Sequence, residues 1–229
     1  MAVVSRPLAH PSPDRRDRLI VAAIFALALV TRAEALDVDV APYRQAALAK
    51  DVGIVAGRVY EEARKPSGPV QPLAGATVIL LPRSEALLAS FQRYKDDARA
   101  SSKAFVAAAP AMRQAQEAYE RQLVTAGVPD LASRVAVESD GGFRLDDVPA
   151  GAWILLVWHS APVDVSTPKS RGREHQTFQL PGRTTGFQAV RVWLREFSVR
   201  RDEKVSLELT DRNEWFRGVI EERALGTGR

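Results

Sequence analysis

The chain has no cysteine, only three histidines and only two methionines in 229 residues. Without cysteine there is no disulfide, no thiolate metal ligand and no sulfur nucleophile, and no residue to carry a lipoprotein anchor after an apolar leader. A core of this size needs no disulfide staples, so the lack is compatible with an exported protein. Beyond the first 35 residues only His159 and His175 remain. They are far apart and lack the local H-x-x-x-H pairing from which zinc sites are built. Also missing are a G-x-S-x-G elbow and a phosphate-cradling glycine loop, so acyl-transfer and nucleotide chemistry have no local signature.

Long hydrophobic runs are scarce as well. The longest, Leu19 to Val30, has twelve residues, too few to cross a bilayer comfortably. Arg6, Arg15, Arg16 and Arg18 precede it, and Ala33-Glu34-Ala35 follows with small residues where a signal peptidase reads. This pattern predicts a signal peptide over residues 1–35, cut before Leu36. The protein is then exported, periplasmic or extracellular, with no membrane span after cleavage; the alternative is a tether formed by an uncleaved signal anchor. Neither sign of charge dominates. The leader holds five of 32 basic and three of 28 acidic residues, which leaves 27 against 25. A body at +2 gives no support to a nucleic-acid partner.

Residues 36–229 predict a single domain. Asp37 to Lys50 reads as an approach segment, partly helical from Tyr43 to Leu48. Strands are expected at Ile54–Tyr60 and Ala76–Leu81, separated by a Pro- and Gly-rich loop, Glu61–Gly75. Both faces of Ala76–Leu81 are apolar or nearly so, which requires a cover on each side. The next segment supplies one. Ser84 can cap a helix; Leu87, Phe91, Tyr94, Ala98 and Phe105 then recur at helical spacing, Pro110 is expected to break or kink the run, and Met112, Ala115, Tyr119 and Leu123 continue it to a stop near Gly127 and Pro129. The result is a helical hairpin inserted over residues 84–128. Further strands are expected at Ser133–Glu138, Gly142–Leu145, Ala152–His159, Thr177–Leu180, Gln188–Phe197 and Lys204–Leu209, with a basic loop, Ser160–Glu174, before the last three. Trp215 and Phe216 are expected to pin the tail.

The most informative stretch is ESDGGFRLDDVPAGAWILLV, residues 138–157. Its Asp-Gly-Gly and Pro-Ala-Gly turns suggest two antiparallel strands folded back on each other. In the second, Trp153, Leu155 and Val157 share one face and Ile154, Leu156 and Trp158 the other; the inserted helices are expected over the second set. Together with Gly57-Arg58-Val59 and Pro72 to Leu80, this stretch resembles the carboxypeptidase regulatory-like domains, which are transthyretin-like (prealbumin-type) β-sandwiches. The matching blocks cover residues 54–82 and 133–159. The resemblance implies a mainly β, Ig-like antiparallel sandwich of about seven strands, with the helical hairpin as a departure. It also implies a non-catalytic role. In metallocarboxypeptidases such a module accompanies a separate zinc peptidase domain, for which this length leaves no room.

Side chains able to do chemistry are thinly spread. Glu138, Asp140, Asp146 and Asp147 bracket one turn region and have the oxygen ligands calcium needs, but turn formation and solvation account for them. Burial is the default for large aromatics, and Trp193, which alternates oppositely to Val190, Val192 and Leu194, is the tryptophan singled out as partly accessible, with Arg191 and Arg195 flanking it. Lys169, Arg171 and Arg173 form a second basic group on the long loop. These six residues are the candidate ligand contacts; no catalytic residue, metal ligand or cofactor is expected. The function that follows is a non-enzymatic interaction or accessory module of the cell envelope, its partner another envelope protein or a surface glycan. A carbohydrate-binding module is the first alternative and an enzyme of unrecognised type the second.

Overall fold

The computed structural model describes residues 36–63, 68–162 and 184–223. In chain order the elements are α1 (Ala41–Leu48), β1 (Val52–Glu61), β2 (Gln71–Pro72), β3 (Thr77–Pro82), α2 (Glu85–Asp97), α3 (Ser102–Thr125), β4 (Ser133–Ala136), β5 (Gly142–Pro149), β6 (Gly151–Pro162), β7 (Thr184–Val199), β8 (Lys204–Thr210) and β9 (Phe216–Arg223). The strands form two sheets. In the first, β1 pairs antiparallel with β5 and, at its far end, with β2, while β8 runs parallel to it. The second has the order β4-β3-β6-β7-β9, antiparallel throughout.

Between the sheets the period-two alternation of the strands supplies a dry layer: Val55, Val59, Phe143, Leu145 and Leu209 from one sheet, and Val78, Leu80, Trp153, Leu155, Val157 and Trp193 from the other, are all buried. The opposite face of the second sheet carries Ile79, Leu81, Ile154, Leu156, Trp158, Val190 and Val192, also buried. Helices cover it. Trp158 Nε1 donates to Gln116 Oε1 of α3 at 2.7 Å, and the Tyr119 hydroxyl donates to the Pro82 carbonyl at 3.1 Å. The protein is therefore a β-sandwich with an inserted α-helical hairpin laid over the outer face of one sheet.

The hairpin's ends follow local rules. Ser84 Oγ accepts from the Leu87 amide at 3.0 Å, and Asp37 reaches in to accept from the Ala86 amide at 2.8 Å and from Ser84 Oγ. Asp37→Ala removes this second cap, and thermal or urea unfolding should show a loss of about 1 kcal/mol. At the other end Gly127 has φ +71°, and the Gly127 and Val128 amides close onto Val124 and Leu123, a Schellman stop.

Four expectations change. Pro110 does not break the helix; it lies inside α3, and the chain breaks earlier, at Ala98–Ser101, where Ser101 Oγ caps the Ala104 amide at 3.1 Å. The proline's missing amide costs one ladder bond, and burial of Ala108, Ala109 and Met112 on either side of it carries the helix on past it. Trp215 and Phe216 are not a tail pin alone: Phe216 opens β9, which pairs with β7. That strand and the short β2 bring the described strands to nine. Finally, β5 and β6 are not a hairpin. They belong to different sheets, β5 beside β1 and β6 between β3 and β7. Pro149-Ala150-Gly151 is an arch between layers. Gly151 has φ +156°, and a Cβ there would lie 2.6 Å from the Tyr43 ring, which packs edge-on against Trp153. The leader, the strand expected at Thr177–Leu180 and most of the Ser160–Glu174 loop lie outside the described residues. Among the described residues no helix is long and apolar enough to cross a membrane.

Candidate functional site

The flank of α2 that does not face the sheet repeats at helical spacing: Glu85, Leu88, Ala89 and Gln92 lie at i, i+3, i+4 and i+7. Opposite them stand Leu194 and Glu196 of β7. Arg83 closes one end and Trp215 the other, and together these residues line a cleft of about 340 Å³. Its floor is apolar, from Leu88, Ala89 and Leu194, and its ends are polar. Arg83 Nε donates to Glu196 Oε2 at 2.7 Å and the same guanidinium pairs with Glu85. Two carboxylates share one cation there, so that end carries an excess negative charge. Both acids reach solvent, with side chains 75% exposed at Glu85 and 42% at Glu196.

At the other end the Trp215 indole lies 6.0 Å from Phe91 between centroids, with Lys95 Nζ 4.5 Å over the ring. Its backbone is held on both sides. The Trp215 amide donates to the Val192 carbonyl at 2.9 Å, and Arg195 Nη2 donates to the Asn213 carbonyl at 2.9 Å. Asn213 in turn bonds the Thr210 amide and the Glu208 carbonyl through its side chain. A large aromatic is thus presented on a braced turn rather than on a loose tail.

The six residues expected to touch a ligand do not come together. Trp193 is fully buried, which corrects the expectation of a partly accessible ring. It pairs with Val157, so it faces the other sheet, and its Nε1 donates to the Thr210 carbonyl at 2.8 Å. Alternation along β7 separates two faces; both are covered, one by the first sheet and one by the helices. Arg195 braces the Trp215 turn from a partly buried position, and desolvation holds its pKa below the ordinary arginine value. Lys169, Arg171 and Arg173 lie outside the described residues. Arg191 ties the two sheets together through Glu61 Oε1 at 2.5 Å, and it also pairs with Glu214 Oε1 at 3.4 Å.

His159 faces Arg191 across the β6–β7 ladder. Its Nδ1 is buried without a hydrogen-bond partner, and burial, then the Arg191 charge, lower its pKa below the ordinary 6.5, with Glu61 opposing. A histidine that resists protonation in the fold takes up its proton more readily when unfolded. Stability from this site is therefore full above pH 6.5, falls as pH drops through 6.5, and levels off below the folded pKa. Between pH 7.5 and pH 5, which spans the titration, the urea midpoint of the native protein should fall relative to that of His159→Gln as the medium is acidified; parallel curves would contradict this.

Two of the four acids considered for calcium are engaged by neighbours of their own. Asp140 Oδ1 accepts from the Gly142 amide at 2.8 Å, and Asp146 pairs with Arg144 at 2.7 Å. Among the described residues no group of three or more His, Asp or Glu is placed to hold a metal ion.

No family model matches the chain, and no curated protein does. Two solved structures show partial likeness. A Pseudomonas aeruginosa protein described provisionally as carbohydrate-binding is 15% identical over 69% of this chain and 88% of its own, with a TM-score of 0.34. The pilus backbone protein of Streptococcus pneumoniae is 12% identical over 69% of this chain and 41% of its own, with a TM-score of 0.23. Likeness at this level adds nothing to the strand pairings described above.

The residues of the cleft were not visible as a group in the sequence. The α2 set has a readable spacing. Its juxtaposition with Glu196 and Trp215 depends on how the hairpin lies on the sheet.

Proposed function

We propose that the protein is a non-catalytic accessory module of the cell envelope, a carboxypeptidase regulatory-like sandwich exported by its leader, which engages another envelope protein through the cleft between α2 and β7. The observation that carries this reading is the cleft itself. The hairpin spends one face on its own sheet, and its free flank combines with a braced tryptophan and a shared charge cluster to make a recess that packing alone does not require. A photoreactive residue at position 92, on the cleft wall, should yield a discrete covalent adduct with an envelope protein in intact cells; the same residue at position 144, on the exposed face of the other sheet, should not. No adduct from position 92, or identical adducts from both positions, would overturn the proposal.

A second reading, a carbohydrate-binding module, draws support from the Trp215 indole lining the same cleft as Gln92, Glu85 and Glu196, since pyranose rings stack on indoles and their hydroxyls bond carboxylates and amides. On a glycan array this reading requires binding that Trp215→Ala abolishes while leaving the melting temperature within a few degrees.

A further inference from the structure

Among the described residues, the second sheet has an unpaired edge beside the cleft. β6 pairs with β7 along its whole length to Val199, but β9 pairs with it only as far as Val192. The Trp215 amide makes the last bond, to the Val192 carbonyl, and the chain before it belongs to the turn leaving β8. Because Val192 presents its carbonyl to this side, strand alternation turns the backbone groups of Leu194, Glu196 and Ser198 the same way. The Leu194 carbonyl is taken by Arg195 Nη1 at 2.8 Å. Beyond it no described strand pairs with the edge. The side chains of Leu194 and Glu196, two residues apart on one face, are those that line the cleft under α2.

Resting on the proposal that the cleft engages a protein, we infer that its ligand is an extended peptide segment of that partner, added as a strand to the β7 edge, with an apolar and a basic side chain two residues apart. An added strand places alternate side chains opposite Leu194 and Glu196, at about 5 Å between Cβ atoms. The first of these meets the floor made by Leu88, Ala89 and Leu194, beside Trp215. The second meets Glu85 and Glu196, whose excess negative charge over Arg83 favours lysine or arginine and repels an acid. The charged edge would also select against arbitrary strands, since a segment lacking the complementary charge leaves a carboxylate unmatched.

The test is selection of a random decapeptide library displayed on phage against the purified protein. Enriched sequences should share an apolar residue two positions from Lys or Arg. A synthetic peptide of the winning sequence should lose about tenfold in affinity when N-methylated at nitrogens of one alternating phase, as expected for a lost backbone hydrogen bond, and little in the other phase. Glu196→Lys should shift selection from basic to acidic residues at that position, and Glu85→Lys, at a solvent-exposed site, should do the same if the first variant is poorly folded; Arg144→Glu should change nothing. No enriched motif, equal effects of both N-methylation phases, or selection indifferent to both charge reversals would overturn the inference. An adduct from position 92 without any selected peptide sinks strand addition and leaves the interaction module standing. No adduct and no peptide sinks both, and glycan binding abolished by Trp215→Ala without peptide binding replaces both with the sugar reading.

Discussion

Trp193→Ala should lower stability by about 3–5 kcal/mol, roughly a fifth or more of what a domain has to lose. The indole is fully buried between the sheets, against Val157 on the neighbouring strand, and donates to the Thr210 carbonyl of the facing sheet. That carbonyl also accepts from the Asn213 amide at 3.1 Å, so the substitution does not orphan it. The loss is therefore chiefly the cavity and the forfeited transfer of a large aromatic. Urea unfolding is the measurement: the midpoint should drop with the denaturant slope unchanged. Trp193→Phe, which keeps a ring in the layer, should cost less than half as much. A surface tryptophan would show neither effect, and a midpoint near that of the native protein would contradict the burial described here.

Gly57→Ala should be comparably severe, at about 3 kcal/mol or more, for the opposite physical reason. A Cβ at this position would lie 2.3 Å from the Leu207 carbonyl oxygen and 2.7 Å from Phe143 Cζ. Neither neighbour can yield cheaply. Leu207 is Gly57's partner in the parallel β1–β8 ladder, and Phe143 is its partner in the β1–β5 ladder, with the ring buried in the core. Gly75→Ala is the useful contrast. Nothing lies within 4 Å of its added carbon, and only its φ of +77° opposes the change, which should cost about 1 kcal/mol. If thermal unfolding ranks the two variants equally, close packing at Gly57 is not the constraint described here.

The Gly57–Phe143 contact also gives physical content to the resemblance noted in the sequence. Gly57-Arg58-Val59 and Gly142-Phe143 lie in separate blocks, with the helical insertion between them. In the fold they are adjacent strands, and the glycine is bare because the phenylalanine ring lies over it. Two pieces of the pattern are therefore one packing unit.

Local signals were read where local physics decides. Ser84, with Glu85 behind it, caps a helix wherever it lands, because its hydroxyl needs only the amide three residues on. Gly127 ends a helix for the same kind of reason, a left-handed conformation within a single turn. Pro110 shows where this reasoning stops. Its cost is local and real, but burial along the rest of α3 outweighs it, and the weaker-looking Ala98–Ser101 stretch, with its own serine cap, takes the break instead. The 138–157 stretch shows the same limit in strands. A chain that folds back on its neighbour and a chain that crosses to another layer need the same turn residues; which one forms depends on β1, about ninety residues earlier.

By itself the sequence determined a β-sandwich with an inserted helical pair, an apolar outer face under those helices, and a chain without a thiol. These follow from periodicity, caps and composition, all of which act within a few residues. Only the tertiary structure decided which aromatic is available. Trp193 and Trp215 are equally large and equally flanked by arginine and glutamate, yet one closes the dry layer between the sheets and the other lines a cleft. Period-two alternation says that a strand has two faces and cannot say that both are covered. That depends on the hairpin lying across the sheet and on β9 pairing with β7 only as far as Val192, which together place Trp215, Glu85 and Glu196 beside an edge that no described strand pairs.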